Sequence, residues 1–173
     1  MVDVMDKVQK LTEIGKSIRD KQRVINVNEV FYVWDILVTK LDIMETVQIS
    51  ENFIDDNDLK YIAGILADGL QTGIADMERL LNDYGIPFPV RPPAGNNTAV
   101  NIEFIKDKDI YYGLFEGIQA LFPILASGFM NSTTPVVRKA FKNHLLLSME
   151  ILETIVEYGK LKGFLDTPPV YRP

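Results

Sequence analysis

Between Asp109 and Arg138 the chain carries a single formal charge, Glu116. The same stretch holds Tyr111, Leu114, Phe115, Ile118, Leu121, Phe122, Leu125 and Phe129. A helix that is apolar on nearly every side has to be covered on nearly every side. A bundle interior, a subunit interface or a membrane can do that. A lone carboxylate in such surroundings is costly unless paired or neutral. Glu116 is therefore expected at an interface edge or beside a donor.

About 20 weakly charged residues are long enough to cross a bilayer. Glu116, Gln119 and Pro123 speak against that, as does the lack of basic flanks that would fix an orientation. The expectation is burial in a bundle plus a subunit contact, not a membrane span. The contact should use Leu114, Ile118, Leu121, Phe122, Leu125 and Phe129. Leu114, Ile118, Leu121 and Leu125 occupy one side, and Phe115, Phe122 and Phe129 an adjoining one. One set faces the bundle and the other a partner, which makes the protein a homodimer.

Three further stretches have helical periodicity. In the first, Val30, Trp34, Leu37, Leu41, Met44 and Gln48 alternate steps of four and three, with Asn28 as the cap. It runs to about Phe53. The second opens at Asn57 or Asp58 and carries Leu59, Ala63, Leu66, Leu70, Gly73, Met77, Leu81 and Tyr84. Gly64, Gly69 and Gly73 each weaken that helix by roughly 1 kcal/mol against alanine, so a neighbouring helix should approach closely there. Gly85 supplies its stop. The apolar helix is capped by Asp107 or Asp109 and bent by Pro123. Thr134-Pro135 then starts the last helix. It aligns Val137, Phe141, His144, Ser148, Ile151, Ile155 and Gly159 and ends at Gly163.

The connectors suggest a topology. The first-to-second and third-to-fourth links are short, which makes antiparallel hairpins. The second-to-third link has about 20 residues, rich in proline and glycine, and could span roughly 60–70 Å. Long structureless links are uncommon in compact domains. A crossover along the bundle explains this one, giving an all-α, ferritin-like up-down four-helix bundle with helices two and three parallel. Residues 1–24 form an N-terminal arm with a short helix, on a weaker stripe of Val4, Val8, Leu11, Gly15 and Ile18. Residues 25–173 form the bundle and an extended proline-rich tail, which Phe164 and Tyr171 can anchor.

The ferritin-like plan invites a test for metal. Such sites take a Glu from each of two helices and a Glu-x-x-His from each of the other two. This chain has one histidine, and position 141, three before it, is Phe. The standard centre cannot be built within one subunit. A degenerate site could draw on Glu45, on Asp76 or Glu78, on Glu116, and on His144 or Glu150. Solvated flank carboxylates are the simpler expectation, since such groups are rarely buried unpaired. His144 is expected to be a partly buried residue bonded to a neighbour. No cofactor is expected.

With no cysteine, disulfides, zinc–thiolate sites and thiol nucleophiles are excluded. A net charge of −6 and a pI near 4.8 argue against unspecific binding to nucleic acid. Residues 1–10 hold Asp3, Asp6, Lys7 and Lys10 and lack the apolar run of a secretory signal, which fits a cytoplasmic protein.

Two segments carry a resemblance. They are Tyr84-Gly85-Ile86-Pro87-Phe88-Pro89 and the ending Lys162-Gly163-Phe164-Leu165-Asp166-Thr167-Pro168-Pro169-Val170-Tyr171. With the long connector and the apolar third helix, they resemble the ferritin-like proteins of spore-forming Bacillus relatives that are named spore coat protein F-like. The resemblance implies a ferritin-like fold and a place in the spore coat, reached from the mother-cell cytoplasm, with other coat proteins as partners. It implies no reaction and carries no catalytic residue across. The expected function is thus a non-enzymatic structural or interaction protein. Two rivals stand beside it. One is a metal-handling protein or oxidase with a degenerate carboxylate and histidine site. The other is a module that binds an apolar ligand in a pocket lined by Trp34 and Phe115.

Overall fold

The computed structural model describes residues 15–91, 105–166 and 168–169. Among these it contains five α-helices and no strand. They are α1 (Ile18–Gln22), α2 (Val27–Glu51), α3 (Asn57–Asp83), α4 (Asp107–Asn131) and α5 (Pro135–Lys162). The weak stripe over residues 2–14 and the tail residue Tyr171 fall outside the described residues.

Side chains at the helix ends fix the topology. The Asp107 carboxylate accepts the backbone N–H groups of Asp55 and Asp56, each at 2.9 Å. The first residue of α4 therefore holds the α2–α3 turn. At the same end, the Lys162 ammonium on the last turn of α5 lies 2.6 Å from Asp56 and 3.2 Å from Asp58. So α3 and α4 begin together where α5 finishes. At the opposite end Lys21 and Gln22 hold Asp83 and the Tyr84 carbonyl. There Asn26 also donates to the Asn131 carbonyl and the Thr133 hydroxyl. Neighbouring helices are all antiparallel, and α3 and α4 form a parallel diagonal pair. The ends of α3 and α4 joined by residues 84–106 lie a full helix apart, about 40 Å.

Glu29 ties the start of α2 to the start of α5. It is fully buried, and its oxygens accept from Thr134 N–H at 2.6 Å, Thr134 Oγ1 at 2.9 Å and Asn26 N–H at 2.8 Å. Three donors replace the water this carboxylate gave up, which is the condition for burying it.

The core runs the length of the bundle. On α3 every residue of the expected stripe is buried, from Leu59 through Leu66 and Met77 to Tyr84. On α2 the phase differs. The inward residues are Val33, Ile36, Leu37, Lys40, Leu41, Met44 and Val47, while Trp34 and Gln48 turn outward. The cap is Asn26 rather than Asn28, and the helix closes at Glu51. On α4 the residue before the first turn is Lys106, and Asp107 is spent on the neighbouring turn. Gly69 and Gly73 do sit against neighbours, Ile151 and Lys40, but a side chain at Gly64 would meet nothing within 4 Å.

One helix among the described residues, α4, is long and apolar enough to cross a membrane by length and composition. It packs against α2 and α5. Its outward face holds Glu116, Gln119, Ala120, Pro123 and Met130, all exposed. Glu116 is thus a surface carboxylate. The helix is rich in apolar residues because this face is built of small or weakly polar ones, not because every side is greasy.

Candidate functional site

Away from the Glu29–Thr134 joint, the buried charged and polar side chains Lys40, His144 and Ser148 gather at one level, where α2, α3 and α5 meet. Lys40 projects from α2 and is 2% exposed. His144, 3% exposed, and Ser148 stand one turn apart on α5. Asp76 on α3 stands at the surface end of the seam.

Gly73 makes the seam possible. The Lys40 side chain crosses α3 there, and a methyl group at that position would lie 2.6 Å from Nζ and 2.7 Å from Cε. No carboxylate among the described residues lies within ion-pair distance of Lys40 in the way Asp56 holds Lys162. Burial alone lowers its pKa to about 8, so the ammonium is still mostly charged at neutral pH. Beside it, Leu66, Leu70, Ile118, Leu121 and Ser148 enclose a void too narrow for water.

His144 Nε2 lies 3.3 Å from Asp76 Oδ2. Asp76 also accepts from Arg79 at 2.9 Å. Burial depresses the imidazole pKa first and the Lys40 charge second. These outweigh the opposing pull of Asp76, leaving the pKa at about 4. The ring is therefore neutral at pH 7, with Nε2–H facing the carboxylate. Nδ1 is buried and has no hydrogen-bond partner. A cleft of about 230 Å³ leads to this pair from outside, past Arg79, Asp83, Lys139 and Asn143.

An Asp–His pair with a free ring nitrogen has the outline of a general base. Two features work against that use. A conjugate acid near 4 makes a weak base at neutral pH. The residues lining the cleft offer neither a hydroxyl nor a thiol for His144 to activate. Metal chemistry is disfavoured on electrostatic grounds, because the Lys40 cation already lowers the proton affinity of the same ring.

Of the candidate ligands, Asp76 and His144 meet, and the others do not join them. Glu116 and Glu150 are exposed and Glu45 is half-buried, whereas His144 lies inside. Glu78 contacts Arg91. No group of three or more histidine or carboxylate residues arranged to hold a metal occurs among the described residues. Trp34 and Phe115 do not share a pocket either. Phe115 stacks on Tyr111, and Trp34 faces outward from α2. A larger groove than the His144 cleft lies elsewhere, between the start of α3 and the end of α5. It is open, about 620 Å³, and lined by Tyr61, Ile62, Tyr158 and Leu161 among others.

Leu114, Ile118, Leu121 and Leu125 lie inside the chain's own core, at most 2% exposed. Phe122 is half-buried and Phe129 is 37% exposed. Of the six residues expected to meet a partner, these two keep surface to offer.

Lys40 had a signal in the sequence. Val33, Leu37, Lys40, Met44 and Val47 also alternate steps of four and three. That register passes through a lysine, whereas the rival register passes through Trp34 and Val30.

No known family model matches the chain, and no curated protein sequence matches it. Similar solved structures include a protein of Bacillus halodurans C-125 proposed to be a spore coat protein. It superposes with a TM-score of 0.80 at 20% identity, covering 91% of this chain and all of that one. A fragment of a DUF305 protein from Deinococcus radiodurans gives a TM-score of 0.58 at 13% identity, covering 78% of this chain and 96% of that one. At these identities the likeness is one of fold: an all-helical bundle.

Proposed function

We propose that the protein is a non-enzymatic structural component with a ferritin-like bundle, acting in the spore coat and assembling with copies of itself and with other coat proteins. The observation that carries this reading is the filled interior. Apolar side chains from all four long helices occupy the bundle from the Asp107 end to the Glu29 end, and the polar seam around Lys40 is closed. A body of that kind presents faces to partners rather than a chamber to substrates. The bundle fold shared with the Bacillus halodurans protein supports the spore coat as its place. The partner-facing surface of α4 is the outward strip from Phe122 and Pro123 to Phe129 and Met130. Met130 is 74% exposed there and Phe129 37%.

A fluorescent fusion expressed in a sporulating Bacillus cell tests the reading. Signal should collect on the developing spore and persist in coat extracts. Even distribution through the mother cell, with none in the coat fraction, would overturn it. Elemental analysis separates the metal-handling rival: about one transition metal per chain that survives chelator and is lost in His144→Ala would favour that rival instead. Sedimentation addresses self-association. Met130→Lys should split the dimer while leaving the helices intact, and a wild-type monomer at micromolar concentration would remove the dimer from the proposal.

A further inference from the structure

Among the described residues, the two ends of the bundle carry opposite charge. At the α1 end, residues 16–29 hold four cations, Lys16, Arg19, Lys21 and Arg23, against Asp20 and Glu29. Glu29 is buried and spent on Thr134 and Asn26. The α5 helix starts at this end too, with no acidic residue in its first turn. At the opposite end, residues 51–60 hold four carboxylates, Glu51, Asp55, Asp56 and Asp58, against Lys60 alone. Local pairs offset part of each excess. Lys21 lies 3.8 Å from Asp83 and Arg23 3.7 Å from Asp20, while Lys162 takes Asp56 and Asp58. Lys16, Arg19 and Arg23 nonetheless stand exposed at one end, and Glu51, Asp55 and Asp58 at the other.

Each end also offers apolar surface. At the α1 end Ile18 and Val24 are both more than half exposed. At the acidic end lies the open groove of about 620 Å³, where Tyr61, Ile62, Tyr158 and Leu161 stand beside Asp58 and Glu157. Tyr61 and Leu161 are largely exposed. The side chains of Asp58 and Glu157 are 70% and 72% exposed, so they can turn to a partner.

The groove wall sits in a negative field. Burial first, and then the charges of Asp56, Asp107 and Asp58, push the Tyr158 phenol up to about 12 against the pull of Lys162. The chain itself shows what this corner accepts. The Lys162 ammonium lies 5.6 Å from the centre of the Tyr158 ring while it holds Asp56 and Asp58. An ammonium over an aromatic face with carboxylates beside it is a favourable arrangement.

We propose that the occupant of this groove is the α1 end of a second copy of the chain. Ile18 and Val24 of one molecule seat against Tyr61 and Leu161 of the next, and Arg19 and Arg23 face Asp58 and Glu157. The two patches lie at opposite ends of a bundle about 40 Å long. Each contact therefore leaves one free patch of each kind on the outer molecules. Such a heterologous contact does not close at two subunits and builds head-to-tail rows. The proposal deepens the self-assembly part of the reading above. It depends on neither the spore coat nor the α4 contact.

Sedimentation of the full chain tests it. In about 50 mM sodium chloride the average mass should climb past two chains as concentration rises, and in about 500 mM it should fall back, because exposed charges are far more strongly screened there. Arg19→Glu/Arg23→Glu makes both ends acidic, and Asp58→Lys/Glu157→Lys makes the groove basic like the α1 end. Each variant alone should lose the low-salt growth. An equal mixture should regain it, since every acidic end then finds a basic one. The parent chain has a formal charge of −6, and both variants stay net negative, so bulk attraction does not account for recovery. Circular dichroism checks that each variant folds. Arg19 and Arg23 lie outside the bundle core, so that variant decides alone if the other does not fold. Met130→Lys, which removes the α4 contact, should leave the low-salt growth intact, so the two contacts fail or hold separately. A wild-type chain that stays monomeric or stops at a dimer in low salt would overturn the proposal. So would growth that either charge reversal leaves unchanged, or a mixture of folded variants that does not recover.

Discussion

Tyr111 on α4 fits into α5 at Gly159, in a notch where even a methyl group would run into the phenol ring. Phe141 on α5 does the same over Gly128 near the far end of α4. The hairpin is thus closed at both ends by an aromatic ring against a bare backbone, once in each direction. Gly159→Ala should overpack the first joint and destabilise by about 1–3 kcal/mol. Tyr111→Phe should recover part of that loss, because the hydroxyl is the atom nearest the added methyl. Urea unfolding of the two single variants and the double variant measures this. Losses that simply add would show that the two positions do not meet.

Lys40 should be a destabilising residue that the fold tolerates. Its pKa falls from an ordinary 10.5 to about 8 on folding. Between those values the unfolded chain holds more protons, so stability rises with pH from about 8 to 10.5. Below 8 the penalty is fully present. A shift of this size is on the order of 3 kcal/mol. Lys40→Met should therefore stabilise the protein at pH 7, and its advantage should shrink by pH 10. Denaturation curves at the two pH values decide. A constant difference between them would place the amine in water.

His144 should remain neutral far into acid. Its pKa is lowered to about 4, against an unfolded value of 6.5. The group therefore costs no stability above pH 6.5, and stability falls as pH drops from 6.5 toward 4. As the only histidine, it gives one imidazole Cε1–H resonance, whose titration is unambiguous. The midpoint should lie near 4. An ordinary midpoint near 6.5 would mean the ring is open to solvent.

Glu29→Ala should unfasten the joint between α2 and α5. It removes the acceptor of three hydrogen bonds and leaves the Thr134 and Asn26 donors without that partner. A loss of about 3 kcal/mol is expected for stranding buried donors of a charged group. Hydrogen exchange at the Thr134 amide should accelerate accordingly. An unchanged Thr134 amide would show that the carboxylate is not its partner.

The α3 stripe could be read from the sequence because its apolar residues recur without a rival register. The parallel pairing of α3 and α4 was also legible, since two short links and one long one leave few topologies. The phase of α2 was not. Trp34 and Val30 offer a second apolar register, and a lysine interrupts the inward one. The exposure of the Glu116 face in the single chain was not legible either. Gly113, Ala120 and Pro123 make its face look buried, yet small residues are equally at home in water. The Asp107 grip on the α2–α3 turn joins residues about 50 positions apart and involves no pattern at all.

Residues 27–83 and 107–162 are each a hairpin with one half of a core, and a single stretch of backbone connects them. All of the core each hairpin needs is presented by the other, whichever molecule supplies it. Two chains could trade hairpins and preserve every helix-to-helix contact within each bundle. A monomeric bundle and an interlinked pair would then differ in connectivity alone, and a chain of such exchanges would be a fabric rather than a particle.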